Sequence, residues 1–354
     1  MTAQTPRQDT LLRGAGFALL AAVAFGLTTP LIQRFGRGAG AAPAAALLYA
    51  GAALASLDVL RGSRDREPPV RVTHLPRLLA VALMGAVFAP ICLTWGVQHT
   101  DGTSASLLLN FEAVFTVVLA WRIYHEAIGP RVALALAAMA AGGVLLVAGY
   151  EGAEGGFGFG ALAVVLATLG WAFDNTLARP LADLSPTQVV KWKGTLGAGF
   201  SFALAFASRQ PFPKPLPLLG LLACGATGYG LSLRFYLGAQ RRIGAARTGS
   251  IFAVAPFVGA LAAWGLVQGK MSPVSLAAAL FFAVGVYLHL TEEHAHQHTH
   301  HALHHDHTHR HDDGHHEHEH EPPVIGEHSH PHSHAAETHE HPHAPDLHHR
   351  HEHE

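Results

Sequence analysis

Imidazole and carboxylate groups crowd the C-terminal end of this chain. From residue 294 onward His recurs at alternate positions: His294, His296, His298 and His300; His316, His318 and His320; His328, His330, His332 and His334; His339, His341 and His343; His351 and His353. Neutral imidazole ligates zinc, nickel, cobalt and copper, and neighbouring Asp and Glu can complete a shell. The affinity order favours copper, so residue type alone selects no metal. The expected chemistry is binding of divalent transition-metal ions, with no cofactor required. Acid should abolish it, because protonated imidazole cannot ligate.

A second set of chemically capable residues lies inside apolar runs. Glu112, Asp174 and Arg234 are ionisable groups at positions that read as intramembrane. A charge there costs at least ~2.5–3.5 kcal/mol on insertion scales, so it normally faces protein or a water-filled cavity. Glu112 is the candidate proton carrier: a carboxylate that alternates between apolar and cationic surroundings can load and release a proton. Thr116, one turn on, is placed to orient it. The competing reading is a static Glu112–Arg234 ion pair that locks two helices. Asp174 and Trp171 are three residues apart and share a helix face, with Asn175 adjoining. A carboxylate and an indole together suit a cationic or hydrogen-bonding solute; the alternative is a helix-end cap near Arg179. Asn110 joins the candidate substrate-binding residues with Trp171, Asn175 and Thr116, although Asn110 and Glu112 point nearly opposite ways. Thr28, Thr29 and Pro30 either break the first helix or only kink it.

The elements that position these residues are membrane spans. Only 14% of the 354 residues are charged and 49% are hydrophobic, against about a quarter charged in soluble domains. Runs near 14–33, 41–60, 77–97, 103–121, 130–149, 158–178, 188–207, 216–238, 244–264 and 272–290 are each about the length that crosses a bilayer. Residues 1–290 hold 21 Lys/Arg and 11 Asp/Glu, whereas 291–354 hold two Arg, 14 Asp/Glu and 25 of the 29 His. With the N-terminus in the cytoplasm, 15 basic residues fall inside and five outside, as the positive-inside rule requires. Both termini are then cytoplasmic, in a bacterial inner membrane. Cys92 and Cys224 sit in apolar runs and read as buried thiols rather than a disulfide. The tail has almost no apolar content and is expected to be disordered.

Shifted by 142 residues, WGVQHTDGTSASLLLNFEAVFTVVLAW (95–121) lands without a gap on LGAQRRIGAARTGSIFAVAPFVGALAA (237–263). Gly96, Gln98 and Phe115 fall on Gly238, Gln240 and Phe257, and further on Gly143 meets Gly285. Two halves of five spans each insert with opposite topology, which is a transporter arrangement with its site between the halves. The expected fold is an all-α membrane protein of ten transmembrane helices in two inverted five-helix repeats. Residues 1–149 form the first repeat, 150–290 the second, and 291–354 the His-rich tail.

SASLLLNFEAVFTVVLAW at 104–121 with His125–Glu126, and ARTGSIFAVAPFVGALAAW at 246–264, resemble the EamA-type branch of the drug/metabolite transporter superfamily. Gln268 stands where the second half of that family usually has an acid. The resemblance implies a bundle lined by spans 1–4 and 6–9, with spans 5 and 10 peripheral. It also implies movement of small organic solutes, often coupled to protons.

No phosphate-binding loop, HExxH or nucleophile elbow is present, so no enzyme and no ATP-driven pump is expected. The function expected is gradient-driven transport of a small organic solute, with a tail that buffers or senses metal. A transporter of divalent metal or a metal chelate, using the tail as collector, is the alternative; a metal-responsive membrane scaffold is the third. Expected partners are the lipid bilayer, the solute and transition-metal ions, with no nucleic acid; a homodimer is open to such a chain.

Overall fold

The structure is a computed structural model that describes residues 6–57, 70–124, 128–148, 158–178, 181, 184, 186–243, 245–267, 272–291, 294–300, 303–309, 328–334 and 337–343. The helices in chain order are α1 (Pro6–Gly26), α2 (Thr28–Phe35), α3 (Ala41–Leu57), α4 (Leu75–Ala82), α5 (Ala89–Gly96), α6 (Gly102–Leu108), α7 (Phe111–Tyr124) and α8 (Pro130–Ala148). They continue with α9 (Phe159–Ala178), α10 (Pro186–Ala207), α11 (Pro215–Cys224), α12 (Ser232–Ile243), α13 (Ala245–Phe252), α14 (Ala255–Val267) and α15 (Pro273–Leu290). Prolines open several of them, where a missing N–H costs nothing. Asp101 and Ser272 cap α6 and α15 by accepting from the Ser104 and Ser275 amides at 2.8 and 3.0 Å.

Among the described residues, seven stretches are long and apolar enough to cross a membrane: Leu11–Phe35, Val72–Gly96, Gly102–Tyr124, Pro130–Ala148, Phe159–Ala178, Pro215–Gln240 and Arg247–Gly265. Ala41–Ser56 and Pro273–His289 are apolar but shorter. Helix α10 is 22 residues long and carries Lys191 and Lys193 near its start.

Several of these stretches are interrupted. Pro30 has no N–H for the Gly26 carbonyl, and the helix breaks at Leu27 rather than merely kinking. Thr28 Oγ1 donates back to Ala24 O at 2.9 Å. A second break, at Leu109–Asn110, separates α6 from α7, and a third, at Ala253–Val254, separates α13 from α14. Two stretches widen into π-helix, Leu83–Phe88 and Gly225–Leu231. These two begin 142 residues apart, the offset of the sequence repeat.

Helix α1 packs on α12, α3 on α10, α5 on α9, α6 on α14 and α8 on α15. Swapping the two halves of the chain maps these pairings onto themselves or one another. The core they enclose includes Ile32, Leu48, Leu93, Leu107, Trp171 and Leu221. Large apolar side chains also face outward, among them Leu134, Val144, Leu280 and Tyr287 on α8 and α15. Apolar exposure on this scale suits lipid rather than water. Cys92 and Cys224 are free thiols.

The tail departs in part from the disorder expected of it. Segment β1 (His294–His300) pairs antiparallel with β4 (Glu337–His343), and β2 (Leu303–His309) with β3 (His328–His334). An alternating sequence has the period of a strand, which is the physical ground for this pairing. Residues 310–327 and 344–354 lie outside the described residues.

Candidate functional site

The site begins with a carbonyl that the helix cannot satisfy. In the π-helical stretch the Ala89 N–H goes to Met84 O. The acceptor at Gly85 would need the amide of residue 90, which is proline and has none. Gly85 O is taken up instead by two side chains: Tyr49 Oη–H from α3 at 2.5 Å and Trp171 Nε1–H from α9 at 3.1 Å. Gly85 must be glycine, because a Cβ there would run into the Asp174 carboxyl group.

Those two donors belong to an aromatic wall. Tyr49 and Tyr229 have ring centroids 5.5 Å apart, Phe25 and Tyr229 5.9 Å, and Trp171 and Tyr229 6.4 Å. Tyr229 comes from the second π-helical stretch, so both widened segments contribute to one place. Phe252, at the end of α13, closes on Phe25 at 5.6 Å.

Beside this wall stand the charges. Asp174 is 3% exposed and its Oδ2 forms an ion pair with Lys193 Nζ. Its other oxygen, Oδ1, is buried without a hydrogen-bond partner. One residue on, Asn175 Nδ2 donates to Glu112 Oε1 at 2.7 Å. The break before α7 puts Glu112 in that helix's first turn, where the helix dipole favours negative charge. Tyr124 Oη–H donates to Thr176 O at 2.9 Å and ties α7 to α9. Asn175 is exposed and Glu112 half-buried, so their end of the site is open while the Asp174 end is closed.

The structure therefore brings together Glu112, Trp171, Asp174 and Asn175. It does not bring in the others. Arg234 is exposed on α12 and makes no ion pair with Glu112. It lies two residues after buried Ser232, about 200° around the helix, on the side away from α1. The charges that act on Glu112 are those of Asp174 and Lys193. The proposed Glu112–Arg234 lock is thereby replaced by the Asp174–Lys193 pair. Asn110 is buried and donates to Leu107 O in its own helix at 2.8 Å, which removes it from solute contact. Thr116 is half-buried and makes no hydrogen bond to Glu112. Arg179, His125, Glu126 and Gln268 lie outside the described residues.

Sequence reasoning missed Lys193, Tyr49, Tyr229, Phe25 and Gly85. Two signals pointed to them: a lone Tyr in the Ala-rich run of α3, and a proline five residues after a glycine.

Metal ligation was expected of the tail. In the backbone register His294, His296 and His298 lie opposite His343, His341 and His339, and His332, His330 and His328 lie opposite His305, His307 and His309. His334 stands opposite Leu303, and His300 opposite Glu337. His316, His318, His320, His351 and His353 are outside the described residues. In the residues searched within the described part, no group of three or more His, Cys, Asp or Glu is placed to hold a metal ion.

The profile of the EamA-like transporter family matches residues 12–148 and again residues 158–291. The chain belongs to the EamA-like transporter family. A relative described as an uncharacterized transporter of Methanothermobacter thermautotrophicus (strain Delta H) is 25% identical over 243 residues, covering 66% of this chain and 69% of that protein. A solved crystal structure at 17% identity superposes with a TM-score of 0.56 over 80% of this chain and 96% of its own; at that identity the likeness shows the fold. The EamA-like match covers the helices that carry Glu112, Asp174 and Lys193 and stops at residue 291, before the His-rich tail. Membership makes the chain a multi-pass membrane transporter of small solutes rather than an enzyme.

Proposed function

We propose that this EamA-like chain is a secondary, gradient-driven transporter that binds one small organic solute beside Asp174, Lys193 and Trp171 and uses Glu112 to carry the coupling proton. The observation that carries this reading is the buried Asp174 with one oxygen paired to Lys193 and the other unpartnered, beside rings drawn from both halves of the chain. A buried ion pair is poor value as glue, since apolar residues of similar volume often stabilise more. Its retention in a transporter supports a solute role. The π-helical segments 142 residues apart and the exchange pattern of helix contacts support two inverted five-span halves, ten spans in all. The basic-residue bias supports a bacterial inner membrane with both termini cytoplasmic.

The chemistry assigned to each group follows from its surroundings. Asn175 holds the Glu112 carboxylate by one hydrogen bond at the open end, where water can deliver or remove a proton. Tyr49 and Trp171 brace the closed end through Gly85 O. Solute entry at Asp174 and proton binding at Glu112 are coupled through the charges they share.

The tail favours a second role. Its 25 His support binding of zinc, nickel, cobalt or copper ions in the cytoplasm, to buffer or sense metal. Flux into proteoliposomes decides between this and direct metal transport, comparing the full chain with one ending at Leu290. Solute flux indifferent to truncation supports the organic-solute reading. Metal flux that disappears on truncation supports a metal or chelate cargo and overturns it. Absence of any flux leaves the scaffold reading.

A further inference from the structure

Three features of the closed end of the site call for the same ligand chemistry. Asp174 Oδ1 is a buried acceptor with no donor, and a buried polar atom left so is costly unless something binds it. Glu112, Asp174 and Lys193 act on one another, and when all three are ionised they sum to one negative charge. The rings of Trp171, Tyr229 and Phe25 stand together next to Asp174, and aromatic faces attract cations.

We infer that the solute of this site is a protonated organic amine with an aromatic or apolar body. One N–H goes to Asp174 Oδ1, its charge balances the cluster, and its body lies against Trp171 and Tyr229. An anion would add to the excess negative charge. A zwitterion would leave that excess uncorrected. A quaternary ammonium would balance the charge and leave Oδ1 without a donor. Lys193 is then a tethered cation that holds one Asp174 oxygen and leaves the other for the solute. This inference names the solute class of the transport reading above and rests on it for movement, though not for binding.

The test is calorimetric titration of the purified full chain near neutral pH with four probes that share a phenyl group. These are phenethylamine, its N,N,N-trimethyl analogue, 3-phenylpropionate and phenylalanine. Phenethylamine is expected to bind roughly tenfold or more tightly than the trimethyl analogue, the effect of one charge-assisted hydrogen bond. The propionate is expected not to bind. The double variant Asp174→Asn/Lys193→Met removes both charges together and leaves no unpaired ion to unfold the bundle. It should stay monodisperse and lose amine binding. Equal or tighter binding of the propionate, phenylalanine or the trimethyl probe overturns the inference. So does unchanged amine binding in the double variant, or no binding of any probe. Phenethylamine counterflow in proteoliposomes separates the two readings. An amine that binds without moving overturns transport and leaves this assignment standing. Flux of another solute, lost in Glu112→Gln, with no amine binding overturns this assignment and leaves transport standing.

Discussion

Lys193, in the second turn of α10, reaches across to Asp174 near the end of α9 and forms a buried ion pair with it. The relationship joins a group that reads in sequence as a loop cation to one that reads as an intramembrane acid. A lysine stem can run along apolar surface while its ammonium finds a partner.

The pair predicts a large asymmetry between single and double variants. Asp174→Asn or Lys193→Met alone leaves one uncompensated buried group and should cost about 3–5 kcal/mol, whereas the double replacement should be near neutral. Thermal unfolding in detergent, run as a double-mutant cycle, measures this. Additive losses would show that the two residues do not act as a pair.

Gly85 and Pro90 predict a second effect. Pro90→Ala supplies the missing N–H, which competes with Tyr49 and Trp171 for Gly85 O. The stability change should be small, about 1 kcal/mol. The Trp171 indole N–H resonance, assigned by its loss in Trp171→Phe, should move. Gly85→Ala should do worse, because its Cβ enters the space of the Asp174 carboxyl group and overpacking costs about 1–3 kcal/mol. An unmoved indole resonance in Pro90→Ala would show that the brace does not depend on the proline.

Much of this was legible in the sequence, for physical reasons. Apolar length fixes helices, so each expected run falls on helix. The price of a buried charge singles out Glu112 and Asp174, and helical spacing adds Trp171 and Asn175. The partners were not legible. Which residue meets Glu112 depends on how α7, α9 and α12 are rotated, and spacing within one helix says nothing about that. Asn110 was misjudged because the break at Leu109–Asn110 frees a carbonyl nearby, and its side chain bonds there instead. The π-helical stretches have no simple periodic signature, so Tyr49 and Tyr229 stayed hidden among small apolar residues.

Glu112 gives the prediction on coupling. Glu112→Gln keeps the acceptor oxygen for Asn175 but removes the exchangeable charge. Solute counterflow should survive, while uphill flux driven by an imposed proton gradient should fall to the level of a protonophore-treated control. Paired flux assays on the same proteoliposomes measure both. Gradient-driven flux equal to the parent protein would remove Glu112 from proton coupling and leave it a positioning group for Asn175.

The tail gives a prediction in pH. Its imidazoles are surrounded by Asp and Glu on an extended segment rich in polar residues, so they should titrate near the ordinary histidine value of about 6.5. Ligation needs the neutral ring. Zinc or nickel binding by the full chain should therefore be complete above about pH 7.5 and lost progressively as pH falls through about 6, with protons released on binding in between. Calorimetry in buffers of different ionisation enthalpy measures both the affinity and the proton release. Undiminished affinity near pH 5 would mean that carboxylates, not the His-x-His pattern, hold the metal.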